Sequence, residues 1–286
     1  MRRAAVLALA VSVTAAACAA AGPVRAQDYG AQPADSYLGE LDVRLFFTVA
    51  RPDLYGARVV LHDENGVMQN SAWTGSIPEG NLQRALGGGL EVSYGPYADV
   101  KFLAALEGSG SSAQGSFTGT GPRTFTDPVA GRLAQRMDRL SRYPVFGQFV
   151  GATVLMRSFD WCRFGLSLRA GACELAGAVE RGSESGPFGQ SWWRAQLSGT
   201  APAAFVGLEW EWLATANALG IPLAGYASIG YRMVQFSTVG LSYADSDGFR
   251  RTGDWTNADG THRVLDLSGA EVRIGVQIPI NLAPAY

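Results

Sequence analysis

The stretch Glu271-Val272-Arg273-Ile274-Gly275-Val276-Gln277-Ile278-Pro279-Ile280 decides the fold. Val272, Ile274, Val276, Ile278 and Ile280 share one parity, while Glu271, Arg273 and Gln277 share the other. Alternation with period two is the mark of a strand whose two faces meet different surroundings. The run sits in a longer predicted strand, Arg263 to Leu282. Its early Leu265 and Leu267 have the opposite parity, which predicts a bulge near Ser268-Gly269. Pro279, lacking an N–H, fits only near the strand end.

Seven earlier segments carry the same signal: Tyr37–Ala50, Ala85–Tyr94, Tyr97–Gly108, Val145–Ser158, Trp161–Leu175, Ala201–Leu213 and Ile221–Phe236. In the first, Leu41, Val43, Leu45, Phe47 and Val49 oppose Asp42, Arg44 and Thr48. In the sixth, Val206, Leu208, Trp210 and Trp212 oppose Glu209 and Glu211. Long and short connections alternate between the eight strands. Tight links such as Gly95-Pro96 and Phe159-Asp160 are followed by long glycine- and serine-bearing loops. Transmembrane barrels have this rhythm, with short periplasmic turns and long extracellular loops. The expected fold is therefore all-β: a closed antiparallel transmembrane β-barrel of about eight strands. Ten or twelve strands follow if some hide in the loops, with Ala57 to His62 one candidate.

The two ends of the chain suit export. Arg2 and Arg3 precede the apolar run Ala4 to Ala17, and Val24-Arg25-Ala26 offers a small-x-small cleavage site. Residues 1–26 read as a signal peptide, 27–36 as a short periplasmic segment and 37–286 as an outer-membrane barrel. Lipidation at Cys18 is the competing reading of the same leader. The mature chain holds no run of 18 apolar residues, so any membrane crossing must be by strands. A net charge of −2 argues against a nucleic-acid partner. Cys162 and Cys173 on one extended strand would stand roughly 36 Å apart, too far for a disulfide. Their spacing matches no metal site, and no cofactor fingerprint or phosphate loop is present. Gly87-Gly88-Gly89 lies inside a strand pattern, where glycine eases barrel packing.

Periodicity alone leaves open which face is inside, since a lipocalin-like soluble barrel would have the apolar face in its lumen. Three observations favour apolar residues outside. The aromatics Tyr37, Tyr94, Tyr97, Phe159, Trp161, Trp210, Trp212 and Tyr286 gather near the strand ends set by short turns and termini. Amphipathic rings settle in this way at a membrane interface. The polar faces carry seven acids (Asp42, Glu91, Asp99, Glu107, Glu209, Glu211, Glu271) and seven bases (Arg44, Lys101, Arg157, Arg163, Arg169, Arg232, Arg273). Equal numbers suit a lumen in which unpaired charge is costly. Lastly, the terminal alternation ends on Tyr286, as in strands read by the barrel-insertion machinery.

The order of these features resembles the Legionella-type major outer-membrane protein family. The likeness rests on Tyr37-Leu38-Gly39-Glu40-Leu41, Gly87-Gly88-Gly89-Leu90-Glu91-Val92-Ser93-Tyr94, Arg163-Phe164-Gly165-Leu166-Ser167-Leu168-Arg169-Ala170-Gly171 and Phe205-Val206-Gly207-Leu208-Glu209-Trp210. It would span most of the mature chain, implies a pore and transfers no functional residue.

Residue chemistry points elsewhere. An eight-stranded lumen is just wide enough to be filled by side chains, and fourteen charged ones would plug it. That favours a structural or surface-display role in contact with outer-membrane lipid and lipopolysaccharide over a diffusion channel, with a narrow pore the expectation if the ring has ten or twelve strands. The enzymatic alternative, a surface lipid A-modifying enzyme or protease, would need His62 or His262, the only histidines, beside a carboxylate and a nucleophile. Neither lies in a recognisable motif, so no catalytic residue is assigned. In the loops, Asp127 to Arg142 could form a short helix whose arginines meet lipopolysaccharide phosphates or merely cover the barrel mouth. Trp192-Trp193 and Trp255 are expected as loop anchors or partner contacts.

Overall fold

β-Branched and aromatic residues alternating with charged ones at Glu40–Pro52 form β1. The chain then turns into helix α1, Tyr55–Asn70, and a short strand β2, Thr74–Ser76. Next come β3 (Ala85–Tyr97), β4 (Val100–Thr118), β5 (Ala134–Ser158), β6 (Cys162–Ser185), β7 (Gly189–Ala218) and β8 (Ile221–Phe236). The last are β9 (Gly240–Asp245), β10 (Arg250–Asp254), β11 (Leu265–Asp266) and β12 (Gly269–Asn281). The computed structural model describes residues 40–70, 74–97, 99–118, 134–159, 162–185, 189–218, 221–257 and 259–281. The expected leader 1–26, the segment 27–36, Tyr37, Trp161 and Tyr286 lie outside them, as does the side chain of Tyr97.

Eight strands close into a ring in the order β1-β3-β4-β5-β6-β7-β8-β12, each antiparallel to the next, with β12 pairing back onto β1. The register gives the stagger of the closure. From Leu41 the cross-strand path runs through Tyr94, Phe102, Ala152, Leu168, Val206, Tyr231 and Ala270, and re-enters β1 at Arg51. Ten residues of offset over eight strands tilt the strands by about 40° from the barrel axis. Glu40 pairs with Asn281, so both chain ends leave the ring at one rim. That rim, the lower one, also holds the tight β3–β4 and β5–β6 turns.

The strands run far beyond their expected limits. β5 begins at Ala134 rather than Val145, β6 continues to Ser185, and β7 starts at Gly189 rather than Ala201. The helix expected over Asp127 to Arg142 is strand from Ala134 onward. Asp138 and Arg142 face out while Arg139 and Ser141 face in, and from Arg136 to Arg142 each residue is paired in register with both β4 and β6. The glycine-serine loop expected after the fifth strand is instead the upper part of the β6–β7 hairpin. It carries Trp192 outward and Trp193 inward, so neither is a loop residue. β9 and β10 add to the upper part of β7, β2 adds to β4, and β11 to β8.

Two further expectations are corrected. Ala57 to His62 is helical, because Leu54, Ala57 and Leu61 recur at helical spacing and are fully covered inside the upper barrel. No bulge separates Leu265 and Leu267 from the rest of the last strand. Leu265 pairs with Phe236 and Gly269 with Arg232, which is one unbroken register. The two leucines face inward like Glu271 and Arg273, and what changes along the strand is the interior they meet.

Candidate functional site

In the lower half the outward row is apolar and the inward row is charged. Leu45, Phe47, Leu106, Phe146 and Ile274 each expose half or more of their surface, whereas Arg44, Glu91 and Arg273 expose none. The nine residues from Leu41 to Val49, so tilted, give an apolar belt about 20 Å high.

Within that belt the charges interlock in two layers. In the lower layer Arg44 donates through Nη1 to Glu91 (2.7 Å) and Glu209 (3.2 Å), through Nε to Gln277 (3.0 Å), and through Nη2 to Glu211. Arg169 bridges Glu91 and Glu209 and donates to the Tyr226 hydroxyl at 3.0 Å. Lys101 Nζ lies 2.7 Å from Asp42 and 3.0 Å from Glu211. In the layer above, Arg232 meets Glu107 (2.9 Å) and Glu271 (3.2 Å), and Arg273 meets Glu107 (2.8 Å) and Glu271. A planar guanidinium suits such bridging because its fork presents several donors in fixed directions. The upper layer is the looser one: Glu107 Oε2, Glu271 Oε2 and Arg273 Nη2 sit at ion-pair distance without hydrogen-bond alignment.

Glycine makes room for the aromatic rings between these layers. A Cβ on Gly89 would stand 2.6 Å from the ring of Phe46, and one on Gly207 or Gly230 would stand 2.6 Å from the ring of Phe205. The two rings thus lie flat along the inner wall, and Arg273 stacks over both, at 5.1 Å and 4.5 Å.

Three of the fourteen expected charges depart from the buried set. Arg157 points outward over the ring of Phe159 (4.7 Å), because the β5–β6 register slips by one residue between Leu155 and Arg157 and reverses its parity. Asp99 lies half-buried in the β3–β4 turn, where its backbone carbonyl accepts from Leu155 N–H. Arg163 stays half-buried at the lower rim, 3.9 Å from Glu211. Counting Arg163, the two layers hold six acids and six bases.

Thr153, Ser167 and Tyr226 also belong to the lower layer; the first two share the polar parity of their strands, and sequence reasoning misses Tyr226. Tyr226 shares parity with Ser228 and Arg232, which is the one signal that could have found it. Of the expected interface aromatics, Tyr94, Phe159 and Trp212 are exposed near the lower rim. Trp210 is half-buried there and packs edge-on against Phe164 at 6.0 Å, which in turn meets Phe159 at 5.7 Å.

The upper half is built the other way round. Tyr143, Phe149, Leu175, Val179, Leu197 and Phe236 fill the interior, and Leu54 and Leu61 close it around α1. Outside, Gln114, Arg142, Glu174 and the row Arg194, Gln196, Ser198, Thr200 face solvent. Arg194 and Glu180 pair on that outer face. Cys162 and Cys173 are free and buried, 11 positions apart on β6. Both histidines lie in the upper half beside carboxylates: His62 Nδ1 is 3.1 Å from Glu79, and His262 Nδ1 is 3.6 Å from Asp254.

No family model matches the chain, and no curated protein matches it, so the likeness to the Legionella-type family has no counterpart there. Among solved structures, the chain is similar to a major outer membrane protein from Thermus thermophilus at 7% identity. That match covers 84% of this chain and 99% of the other, with a TM-score of 0.45. It is also similar to the outer membrane protein OprG from Pseudomonas aeruginosa (10% identity, 86% and 97% covered, TM-score 0.37). A third similarity is to the outer membrane protease OmpT from Escherichia coli (8% identity, 85% and 96% covered, TM-score 0.26).

Proposed function

We propose that the protein is an integral outer-membrane barrel whose lower half is a closed anchor and whose upper half is a displayed extracellular structure. The observation that carries this is the reversal of inside and outside along single strands. On β6, Leu166 and Leu168 face out against Ser167 and Arg169, while higher up Glu174 and Glu180 face out against Leu175 and Val179. A strand obeys both patterns only if hydrocarbon surrounds its lower part and water its upper part.

The role is structural or surface display. The interlocked layers reach across the eight-stranded ring, Arg44 on β1 meeting Glu209 on β7 and Arg169 on β6 meeting Glu91 on β3, which supports a plugged axis over a diffusion channel. Lipid and lipopolysaccharide are then the partners of the apolar belt, and β12 is the strand presented to the insertion machinery. The function is non-enzymatic: His62 and His262 each meet a carboxylate on exposed segments, which is half of a general-base arrangement without a nucleophile assigned to it.

Single-channel recording in planar bilayers tests the reading. The full chain, reconstituted, is expected to give no steps above the bare-membrane baseline. Discrete steps of nanosiemens size would refute the closed anchor and restore the pore implied by the family likeness.

A further inference from the structure

At the upper mouth, a cavity of about 440 Å³ opens between α1, β5, β6, β7, β9 and the segment around Trp255. Its volume lies in the range of small-molecule sites. The floor is apolar, with Val179 and Leu197, and the walls are aromatic, with Tyr143, Trp193 and Trp255. Among the described residues, three arginines, Arg139, Arg181 and Arg263, and one acid, Asp63, line the same space.

The arginines are held in the wall by strand pairing and by ring contacts. Arg139 and Arg181 are direct cross-strand partners, both facing inward and both more than nine-tenths buried. Like charges placed opposite one another across strands cost stability. Arg181 is in turn opposite Trp193, so two guanidinium groups and an indole form one level row on three strands. Arg139 lies over the Trp193 ring at 5.7 Å, and Trp193 stacks on Tyr243 at 5.9 Å. Arg263 lies over Trp255 at 5.1 Å, and its Nε is buried without a hydrogen-bond acceptor. Backbone bonds hold Trp255 in place: its N–H donates to Val239 O (2.7 Å), and its carbonyl accepts from Arg263 N–H (2.8 Å). Beside Trp193, the Asp245 carboxylate accepts from the Tyr243 hydroxyl and from the N–H groups of Asp247 and Phe249, which fixes the turn that follows β9.

We propose that this cavity binds a small monocarboxylic acid bearing one aromatic ring, the carboxylate held by Arg139, Arg181 and Arg263 and the ring seated between Trp193 and Trp255. Guanidinium–carboxylate bonds are charge-assisted and directional, and the planar forks of three arginines suit a carboxylate. The ring replaces water on an apolar floor that no polar group needs to wet. Beneath the cavity lies the packed apolar interior, so the site is a closed pocket. The proposal deepens the display reading by giving the extracellular half a ligand.

The test uses the full chain folded in detergent micelles, with phenylacetate as probe and tryptophan fluorescence and calorimetry as readouts. Saturable binding is expected, at least tenfold tighter than that of the neutral 2-phenylethanol and of acetate, which lacks the ring. Arg181→Gln and Arg263→Gln are each expected to weaken binding tenfold or more, while Arg194→Gln, on the outer face, leaves it unchanged. Each variant is first checked for the gel shift between unboiled and boiled samples that marks a folded barrel. If Arg181→Gln does not fold, Arg263→Gln, at a half-exposed position, carries the test alone. The proposal is overturned by absence of saturation, by equal affinity for the alcohol or for acetate, or by unchanged affinity in folded arginine variants. Conductance is read separately: a conducting barrel that still binds phenylacetate refutes the closed anchor only, and a silent barrel that does not bind refutes the pocket only.

Discussion

Along β7 the outward row reads Arg194, Gln196, Ser198, Thr200 and then Val206, Leu208; the inward row reads Ala195, Leu197, Ala201 and then Glu209, Glu211. Both halves obey one rule, that apolar groups leave water and buried charge must be paired. They differ in where the water is. The upper half is organised as a soluble β-structure, the lower half as its inverse, and no hinge separates them.

The largest expected effect comes from removing the cation that the lower half is built around. Arg44→Met leaves Glu91, Glu209 and Glu211 without their shared partner in a buried layer. A loss of about 3–5 kcal/mol is expected, read as a lower urea midpoint for the gel-shifted folded form. An unchanged midpoint would show that the layer is solvated and the axis open.

The boundary between the halves can be broken by placing one charge on each side of it. Leu208→Arg puts a cation in mid-belt and is expected to cost about 2–4 kcal/mol in lipid vesicles. Thr200→Arg, eight residues away on the same outer row, is expected to stay within about 0.5 kcal/mol. Equal effects at the two positions would erase the distinction between an apolar belt and a wetted wall.

A third variant sharpens the upper half. Leu175→Ala opens a cavity in the apolar interior, and about 2–4 kcal/mol is expected to be lost. The damage is expected chiefly above the belt, as new protease cleavage in the outer hairpins with the lower ring still protected. The smallest effect concerns the turn at Asp259, whose carboxyl is held below its usual range by the Thr261 hydroxyl and N–H. A depressed carboxyl contributes order above the ordinary aspartate pKa, about 3.9, and loses it as pH falls through the folded value. Proteolysis near Thr261 is therefore expected to rise at acid pH, and Asp259→Asn to remove the pH dependence.

The ring is legible in the sequence because the belt and the charged lumen differ at every second residue. Leu45 and Arg44, or Val272 and Glu271, leave no doubt about parity. The upper half is illegible for a related reason. Where both rows mix small, polar and apolar residues, as from Arg139 to Phe149 or Gly177 to Ala195, alternation fades although pairing continues. Leu265 and Leu267 look displaced only when one environment is assumed for the whole strand; their register is intact. Arg157 is the opposite case, since a one-residue slip beside a turn moves it outside and leaves no trace in the local composition. The cavity is hidden altogether, because Arg181 and Trp193 meet only through strand pairing.

The path that leaves β1 at Leu41 and comes home at Arg51 carries one more implication. Because the return falls an even number of places along, neighbours at each level agree about which way they point, and the tube has no seam where wet and greasy faces would be forced together. A single inserted or deleted residue within any one strand of this ring would create that seam from the change to the nearest rim. Length can therefore be gained or lost cheaply only at the hairpin tips, or two residues at a time, so the tips above the belt are where sequence drift is free to accumulate.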